Sequence, residues 1–374
     1  MKILFFTTNF YPYAGGLENY VLNLSTGLIK RGIQADVLTF NYGRLPSYEN
    51  YQGINIYRIP SKSVLGKTYS IPRWNKQTKR MLKELGDQKY DYINTQTRFF
   101  LSTLLGWWFA KKNKIKLIHT EHGNVFVKHD NKLIQLIAWI YDQSLGRLIF
   151  KSAWKVIGIS KPCCDFAIKM GANPKKVVYI PNSIDVTKYK KVKTDLRQKL
   201  GIPKENKIIT FVGRLIYAKG VQDLILACKG ISGVTLLIVG DGPYRKELEN
   251  LAKEQRVNAL FVGNKDQKGV IESLSITDIF VNPSYSEGMP TSVLEAAAMG
   301  LPIIATNVGG TKEIVGEGNT INLITPNQPE VIKIRIKQFI KDNYLFRKSS
   351  KIIKERIKNR FSWKRTLEFY KRLS

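Results

Sequence analysis

The fold of this chain follows most directly from one stretch, Ser284-Tyr-Ser-Glu-Gly-Met-Pro-Thr-Ser-Val-Leu-Glu-Ala-Ala-Ala-Met-Gly-Leu-Pro-Ile-Ile-Ala-Thr306. A short apolar strand over 278–281 precedes it, and a second strand, Ile303–Thr306, ends it. Between them, a polar loop leads into a helix that we expect to begin near Pro290, where proline's missing N–H costs nothing. A strand, a crossover helix and another strand form the βαβ unit of a parallel sheet.

Two carboxylates flank the predicted start of this helix. Glu287 lies in the loop beside Gly288, and Glu295 falls on the second turn of the helix. The N–H groups and dipole of a helix N-terminus favour an anion such as a diphosphate. Carboxylates in the same space can accept hydrogen bonds from sugar hydroxyls. Seen in isolation, the pair would more often be a surface loop before an ordinary amphipathic helix.

The same alternation of short apolar strands and amphipathic helices extends along the whole chain. One series runs from Lys2–Thr7 to Lys155–Ile159, and a second begins at Ile208–Val212, after a Lys-rich polar segment. A chain of 374 residues is long enough for two domains of typical size. We therefore expect an α/β protein with two consecutive Rossmann-like domains, 1–185 and 186–345, whose ligands bind at the carboxyl ends of the strands.

Composition narrows the possible partners. The formal net charge of +31 is unusual, and it is spread over both halves of the chain, which favours a polyanionic partner. No helix-turn-helix, zinc-finger or RNP-type sequence supports nucleic acid. The three cysteines form neither a metal-binding spacing nor a disulfide framework, and no signal peptide or membrane-spanning run is present. We expect a cytoplasmic protein.

Three further strand-to-helix connections carry residues suited to an anionic sugar ligand. Gly15 and Gly16 permit a close backbone approach to an anion just before a helix. In Phe211-Val-Gly-Arg-Leu-Ile-Tyr-Ala-Lys-Gly220, Arg214 can hold phosphate oxygens with two donors and Lys219 adds a point charge. The strand Lys116-Leu-Ile-His-Thr-Glu-His-Gly123 ends in His122, with His119 a packed neighbour.

Together these motifs resemble retaining glycosyltransferases of the GT-B fold, glycosyltransferase family 4, whose signature is E-x7-E. The resemblance implies two Rossmann-like domains facing across a cleft, and C-terminal helices, here 346–374, that pack back on the first domain. It implies a role for each matching residue. Arg214, Lys219, Gly15 and Gly16 would contact the donor diphosphate. Glu287, Gly288 and Met289 would hold the donor sugar, His122 would orient it, and Glu295 would bind the ribose.

The implied reaction is transfer of a hexose from a UDP- or GDP-linked donor to a hydroxyl of a glycan or lipid-linked acceptor in cell-envelope biosynthesis. No Asp-x-Asp and no metal-ligand spacing occurs in the sequence, so Arg214, Lys219 and helix dipoles would replace a metal ion. The nucleotide-sugar is a co-substrate, and no cofactor is expected. Such enzymes use front-face chemistry, in which the leaving phosphate accepts the proton of the acceptor.

Aromatic and basic residues in the first half favour peripheral association with an anionic membrane. Apolar stretches lie at 99–112 and 133–151, and a basic segment surrounds Trp74 and includes Lys67 and Lys76. The alternative is that the apolar stretches are buried helices of the first domain.

Two other functions stay open at this point. A nucleotide-sugar epimerase on the same fold would release UDP or interconvert free nucleotide-sugars without an acceptor. A non-enzymatic polyanion-binding protein would account for the charge of +31, and its binding would survive Glu287→Ala and Arg214→Ala.

Overall fold

The computed structural model describes residues 1–13, 15–43, 45–64, 69–126, 132–316 and 321–373. The chain divides into two compact units. The first comprises Met1–Asn182 together with Trp363–Ser374, and the second comprises Ser183–Ser362. The boundary lies three residues before the predicted one at 185/186.

The first unit is built on one sheet with helices between its strands. Across the sheet the strands lie in the order β3-β4-β2-β1-β6-β7-β8-β9, with β5 paired to β4. The strands are β1 Lys2–Phe6, β2 Gln34–Asn41, β3 Tyr48–Tyr51, β4 Ile54–Val64, β5 Tyr69–Pro72, β6 Tyr92–Gln96, β7 Lys116–Glu121, β8 Lys155–Gly158 and β9 Val177–Tyr179. The helices are α1 Gly16–Ile29, α2 Lys76–Asp87, α3 Leu101–Lys112, α4 Lys132–Tyr141, α5 Arg147–Ser152 and α6 Lys161–Lys169, with a π-helical turn, Asp142–Gly146, between α4 and α5.

The second unit has the Rossmann strand order. Its sheet runs β12-β11-β10-β13-β14-β15, so the first and fourth strands of the unit, β10 and β13, are parallel neighbours. The strands are β10 Lys207–Val212, β11 Val234–Val239, β12 Ala259–Phe261, β13 Ile279–Asn282, β14 Ile303–Thr306 and β15 Leu323–Ile324. The helices are α7 Leu196–Lys199, α8 Val221–Cys228, α9 Arg245–Glu254, α10 Gln267–Ser275, α11 Thr291–Ala298, α12 Thr311–Val315, α13 Pro329–Lys341 and α14 Tyr344–Arg360.

The central strands are buried on both faces, which explains their continuous apolar sequences. All six side chains of β11 are buried, and so are those of β13 and β14. The predicted α/β class with two Rossmann-like domains is confirmed. The first sheet differs in detail, because β3 and β5 pair with β4 in antiparallel orientation. Exposed residues alternate along β3, so this strand has no apolar run to mark it.

The predicted C-terminal segment 346–374 is divided between the units. Helix α14 belongs to the second unit, where Phe346 joins the hydrophobic core that surrounds Phe211. Helix α15, Trp363–Lys371, belongs to the first unit. There Leu367 packs so closely on α1 that a Cβ at Gly27 would lie 2.8 Å from its Cδ1.

Candidate active site

In the second unit, the site residues lie where strand order reverses. Ligands of doubly wound sheets bind outside the carboxyl ends of the strands at this reversal. Here it falls between β10 and β13, whose following loops carry Arg214, Lys219 and Glu287. The sequence prediction that these motifs follow strand ends is confirmed by the positions of the strands.

The loops after β10 and β13 are in close backbone contact, which the absence of a side chain at Gly220 permits. Gly220 has φ +65°, and a Cβ there would lie 2.1 Å from the carbonyl oxygen of Pro283. The Tyr285 N–H donates to the Ala218 carbonyl at 2.9 Å. Gly240, with φ +136°, similarly allows close approach of Gly213, since a Cβ would lie 1.9 Å from its carbonyl oxygen. The loop after β10 is therefore held by two neighbours, the loop after β13 and the segment at Gly240 after β11.

This contact brings Lys219 and Glu287 together. Lys219 Nζ donates to Glu287 Oε1 at 2.7 Å, and Ser284 Oγ donates to the same oxygen at 2.7 Å. The Glu287 side chain is 10% exposed and that of Lys219 is 23% exposed, so the pair is largely shielded but still open to a ligand. Arg214 is exposed in the same loop as Lys219. A cation next to a carboxylate can serve an anionic diphosphate and a sugar hydroxyl side by side.

The backbone of the Glu287 loop rests on the segment after β14. Gly310 N–H donates to the Gly288 carbonyl at 2.8 Å. Gly309 has φ +52°, and a Cβ there would lie 2.0 Å from the Glu287 carbonyl oxygen. Met289 is buried at the start of α11. The loop conformation is therefore set by two other segments of the second unit, the one after β14 and the loop after β10.

Glu295 lies on the second turn of α11, as predicted, and has a partner that the sequence did not indicate. Tyr189 donates its hydroxyl to Glu295 Oε1 at 2.8 Å, and Gln267 Nε2 donates to the Tyr189 oxygen at 3.2 Å. Burial raises the pKa of Glu295 to about 7, although the hydrogen bond from Tyr189 lowers it. This carboxyl can therefore change its charge near neutral pH.

In the first unit, the predicted anion site at Gly15 and Gly16 contains a carboxylate of the chain itself. Helix α1 begins at Gly16, with Gly15 as its N-cap. A Cβ on Gly15 would lie 2.3 Å from Glu18 Oε2, so the Glu18 side chain folds back over the first turn. An acidic side chain at the third helical position is one half of a capping box, whose other half, a Ser or Thr at the N-cap, is replaced here by Gly15. An incoming phosphate would meet this carboxylate.

His122 follows β7 and is held in one tautomer. Its Nε2 lies 2.8 Å from Gln96 Oε1, which can only accept, so Nε2 carries the proton. Burial lowers the pKa of His122 to about 4, and the ring packs edge-on against Tyr20 with centroids 5.0 Å apart. His122 is therefore neutral at pH 7. The neighbouring His119 is fully buried.

A buried ionic cluster, which no sequence motif marks, supports the loop that carries His122. Arg98 donates to both oxygens of Asp142, from Nε at 2.9 Å and from Nη2 at 3.1 Å, and Nη2 also donates to the Val125 carbonyl at 2.9 Å. Glu121 Oε1 accepts from Gly123 N–H at 2.8 Å and lies 3.4 Å from Arg98 Nη1. Burial alone would raise the pKa of Glu121, but Arg98 and His119 hold it at about 2.

The two apolar stretches of the first unit differ in burial. In α3, Leu105, Phe109 and Ala110 are buried in the core of the first unit. The other apolar side chains of this helix are partly exposed, so the alternative interpretation is confirmed in part. In α4 no residue is buried. Within the basic segment, Trp74 is exposed and packs edge-on against Trp108, whereas Lys67 lies outside the described residues. Among the helices of the described ranges, none is long and apolar enough to cross a membrane.

Two family models match consecutive parts of this chain. Residues 14–188 match the family model described as Glycosyltransferase Family 4, and residues 192–360 match the model described as Glycosyl transferases group 1. An uncharacterized glycosyltransferase of Methanocaldococcus jannaschii is 32% identical over 388 aligned positions, which cover 100% of this chain and 98% of the relative. Alpha-monoglucosyldiacylglycerol synthase of Streptococcus pneumoniae is 27% identical, covering 82% of this chain and 71% of the relative.

Solved structures share the fold. Sucrose-phosphate synthase of Thermosynechococcus elongatus aligns with a TM-score of 0.83 at 24% identity, covering 100% of this chain and 98% of that one. Anabaena HepE in complex with UDP and glucose aligns with a TM-score of 0.80 at 19% identity, covering 100% and 99%. These structures show the GT-B fold. The two family models and the 32% identical relative show that the chain belongs to the group 1, family 4 glycosyltransferases.

Proposed function

We propose that this glycosyltransferase moves a hexose from a UDP- or GDP-linked donor to a hydroxyl of a glycan or lipid-linked acceptor, with retention at the anomeric carbon. The observation that carries the proposal is the Lys219–Glu287–Ser284 cluster at the reversal of strand order in the second unit. It combines a cation for a diphosphate with a carboxylate for sugar hydroxyls.

Each residue has a distinct role in this reaction. Arg214 and Lys219 bind the diphosphate and stabilise the negative charge that grows on it as the anomeric carbon–oxygen bond breaks. Glu287 holds hydroxyls of the transferred sugar, with the backbone of Gly288 and Met289 beside it. Glu295 accepts hydrogen bonds from the ribose. His122 is neutral and orients the sugar as a hydrogen-bonding group.

Bond changes on one face of the sugar complete the mechanism. The acceptor oxygen forms a bond to the anomeric carbon on the side from which the nucleoside diphosphate departs with its electron pair. The leaving phosphate oxygen accepts the proton of the acceptor hydroxyl, so no protein base is required. The charge on Arg214 and Lys219 takes the place of a divalent cation.

The Glu18 side chain lies beside Gly15, where a donor phosphate would contact the two glycines. Its carboxylate would repel a diphosphate at the start of α1, unless the side chain moves or a sugar hydroxyl takes the phosphate's place. We assign these glycines to the donor diphosphate with displacement of Glu18 on binding.

A donor screen tests the proposal. Thermal shift with UDP- and GDP-hexoses should show stabilisation by one nucleotide class, and UDP-glucose comes first because HepE was solved with UDP and glucose. Product from a hydroxyl acceptor should retain the anomeric configuration by NMR, and chelator should leave the rate unchanged. Interconversion of free nucleotide-sugars would indicate an epimerase. Absence of nucleotide binding, with nucleic-acid binding that survives Glu287→Ala, would indicate a polyanion-binding protein.

A further inference from the structure

Helix α4, Lys132–Tyr141, presents an apolar face outside the hydrophobic core. Five large apolar side chains are between 51% and 64% exposed: Leu133, Leu136, Ile137, Trp139 and Ile140. Four of them follow the spacing i, i+3, i+4 and i+7, so they lie on one side of the helix. After the helix, Leu145 and Leu148 are also exposed, at 37% and 42%. Several large exposed apolar side chains on one face of a helix are typical of an interaction site.

Three of the four charged residues within 132–151 are cations. Between residues 132 and 151 the charged residues are Lys132, Asp142, Arg147 and Lys151. Asp142 is 1% exposed and paired with Arg98, so its charge is compensated inside the protein. The surface of this segment therefore combines apolar side chains, one exposed tryptophan and cations. This composition is typical of helices that lie in the interface of anionic membranes.

The C-terminal end of α4 is anchored by hydrogen bonds, although no residue of the helix is buried. Tyr141, at the end of α4, donates its hydroxyl to the Arg98 carbonyl at 2.7 Å. The next residue, Asp142, receives both hydrogen bonds from the Arg98 guanidinium. The end of the helix is thus attached to the same buried cluster that supports the His122 loop.

We propose that the outer face of α4 docks on an anionic lipid bilayer. A second copy of the chain fits the face less well, because a two-fold contact would bring the like charges of Lys132, Arg147 and Lys151 together. A bilayer of acidic lipids pairs with these cations and takes up the apolar side chains. The proposal deepens the proposed function by naming the surface on which an acceptor would be held, and it is tested without a donor.

The test is co-sedimentation of the full chain with vesicles. One set contains phosphatidylcholine alone, and the other contains phosphatidylcholine and phosphatidylglycerol in equal parts. The double variant Leu136→Glu, Ile137→Glu alters two exposed positions, so the fold should survive, which circular dichroism checks. The matched control is Ile334→Glu, Ile352→Glu, two comparably exposed isoleucines of the second unit, at 52% and 55%.

We expect the wild-type chain and the control to bind the acidic vesicles, and the α4 variant to bind at least about tenfold more weakly. Phosphatidylcholine vesicles should bind little of any protein. Equal binding of the two variants would overturn the proposal, as would the absence of binding by the wild-type chain. A dimer in sedimentation velocity that the α4 variant abolishes, without vesicle binding, would assign the face to a second copy. Failure of the donor screen with intact vesicle binding would affect only the proposed function.

Discussion

Lys219 and Glu287 form a direct ion pair, with Nζ 2.7 Å from Oε1, although 68 positions separate them in the sequence. The sequence assigns Lys219 to the diphosphate and Glu287 to the sugar. The structure places both groups within one hydrogen bond of each other, with Ser284 on the same carboxylate oxygen. Each residue therefore sets the orientation of the other, and their contributions to donor binding should be coupled.

The coupling predicts a non-additive pair of substitutions. Glu287→Gln keeps the shape of the side chain but removes its charge, and Lys219→Ala removes the cation that stabilises the leaving diphosphate. We expect each to lower kcat/KM by about 10²–10³-fold, and the double variant to lose much less than the product of the two losses. Steady-state kinetics with a donor identified by the screen measures this. Lys204→Ala, at an exposed lysine of the same unit, should leave kcat/KM unchanged. Additive losses would show that the two residues act separately.

Glu295 should make nucleotide binding depend on pH near neutrality. Its pKa is raised to about 7, so the carboxylate that accepts ribose hydroxyls forms as the pH rises through that value. Isothermal titration with the nucleoside diphosphate should therefore show tighter binding at about pH 8 than at about pH 6. Glu295→Gln should bind more weakly, and its affinity should lose this dependence. Tyr189→Phe should move the midpoint to higher pH, because the Tyr189 hydrogen bond lowers the pKa. Tyr344→Phe, at an exposed tyrosine, is the control.

Glu295 should also make the free energy of unfolding depend on pH, and its raised pKa fixes the direction of the change. A carboxyl whose pKa is raised in the folded state binds more protons there than in the unfolded chain between about pH 4.5 and about pH 7. Glu295 therefore stabilises the fold least above that window. Relative to wild type, Glu295→Gln should gain stability as the pH rises from about 5 to about 8, measured by urea unfolding. An unchanged difference across this range would contradict the raised pKa.

Two effects of a substitution at Gly220 can be measured separately: the clash of a new Cβ with Pro283, and the strain of the positive φ. Gly220→Ala would place a Cβ 2.1 Å from the Pro283 carbonyl oxygen, at φ +65°. Gly230→Ala has the same kind of backbone strain, with φ +70°, but no atom lies within 4 Å of its Cβ. Strain alone should cost both variants about 1 kcal/mol, and Gly220→Ala should lose about 1–3 kcal/mol more. Because the clash shifts the loop that carries Lys219, nucleotide affinity should fall only in Gly220→Ala. Equal stabilities and affinities would show that the loop relaxes freely.

A continuous apolar run marks strands that are buried on both faces, and it predicts β10, β13 and β14 from the sequence. β9, whose three side chains are only partly buried, is not among the predicted strands. The expectation that 346–374 packs as a whole on the first domain does not hold for α14, because the sequence does not show that Phe346 enters the core of the second unit.

The sequence predicts the loop positions of Arg214, Lys219 and Glu287, because these loops follow apolar strands. It does not predict the partners of the candidate site residues, because those contacts depend on loop conformation and on distant segments. Tyr189 lies in a Lys-rich segment that reads as a polar connection, and its contact with Glu295 spans 106 positions. Arg98 lies two residues after the end of β6 at Gln96, at the carboxyl edge of the first sheet, and no motif in the sequence marks it.

Arg98 should act as a positioning residue for His122. Removing one partner of a buried ion pair leaves an uncompensated charge, so Arg98→Met and Asp142→Leu should each lower the free energy of unfolding by about 3–5 kcal/mol. Arg98→Lys keeps the charge but not the two-pronged contact with Asp142, and should lose less. Arg80→Lys, at the exposed pair with Glu84, should have no measurable effect. If the cluster sets the His122 loop, ¹⁵N NMR of Arg98→Lys should show loss of the single Nε2–H tautomer found with Gln96. A destabilised variant with an unchanged His122 spectrum would limit Arg98 to a structural role.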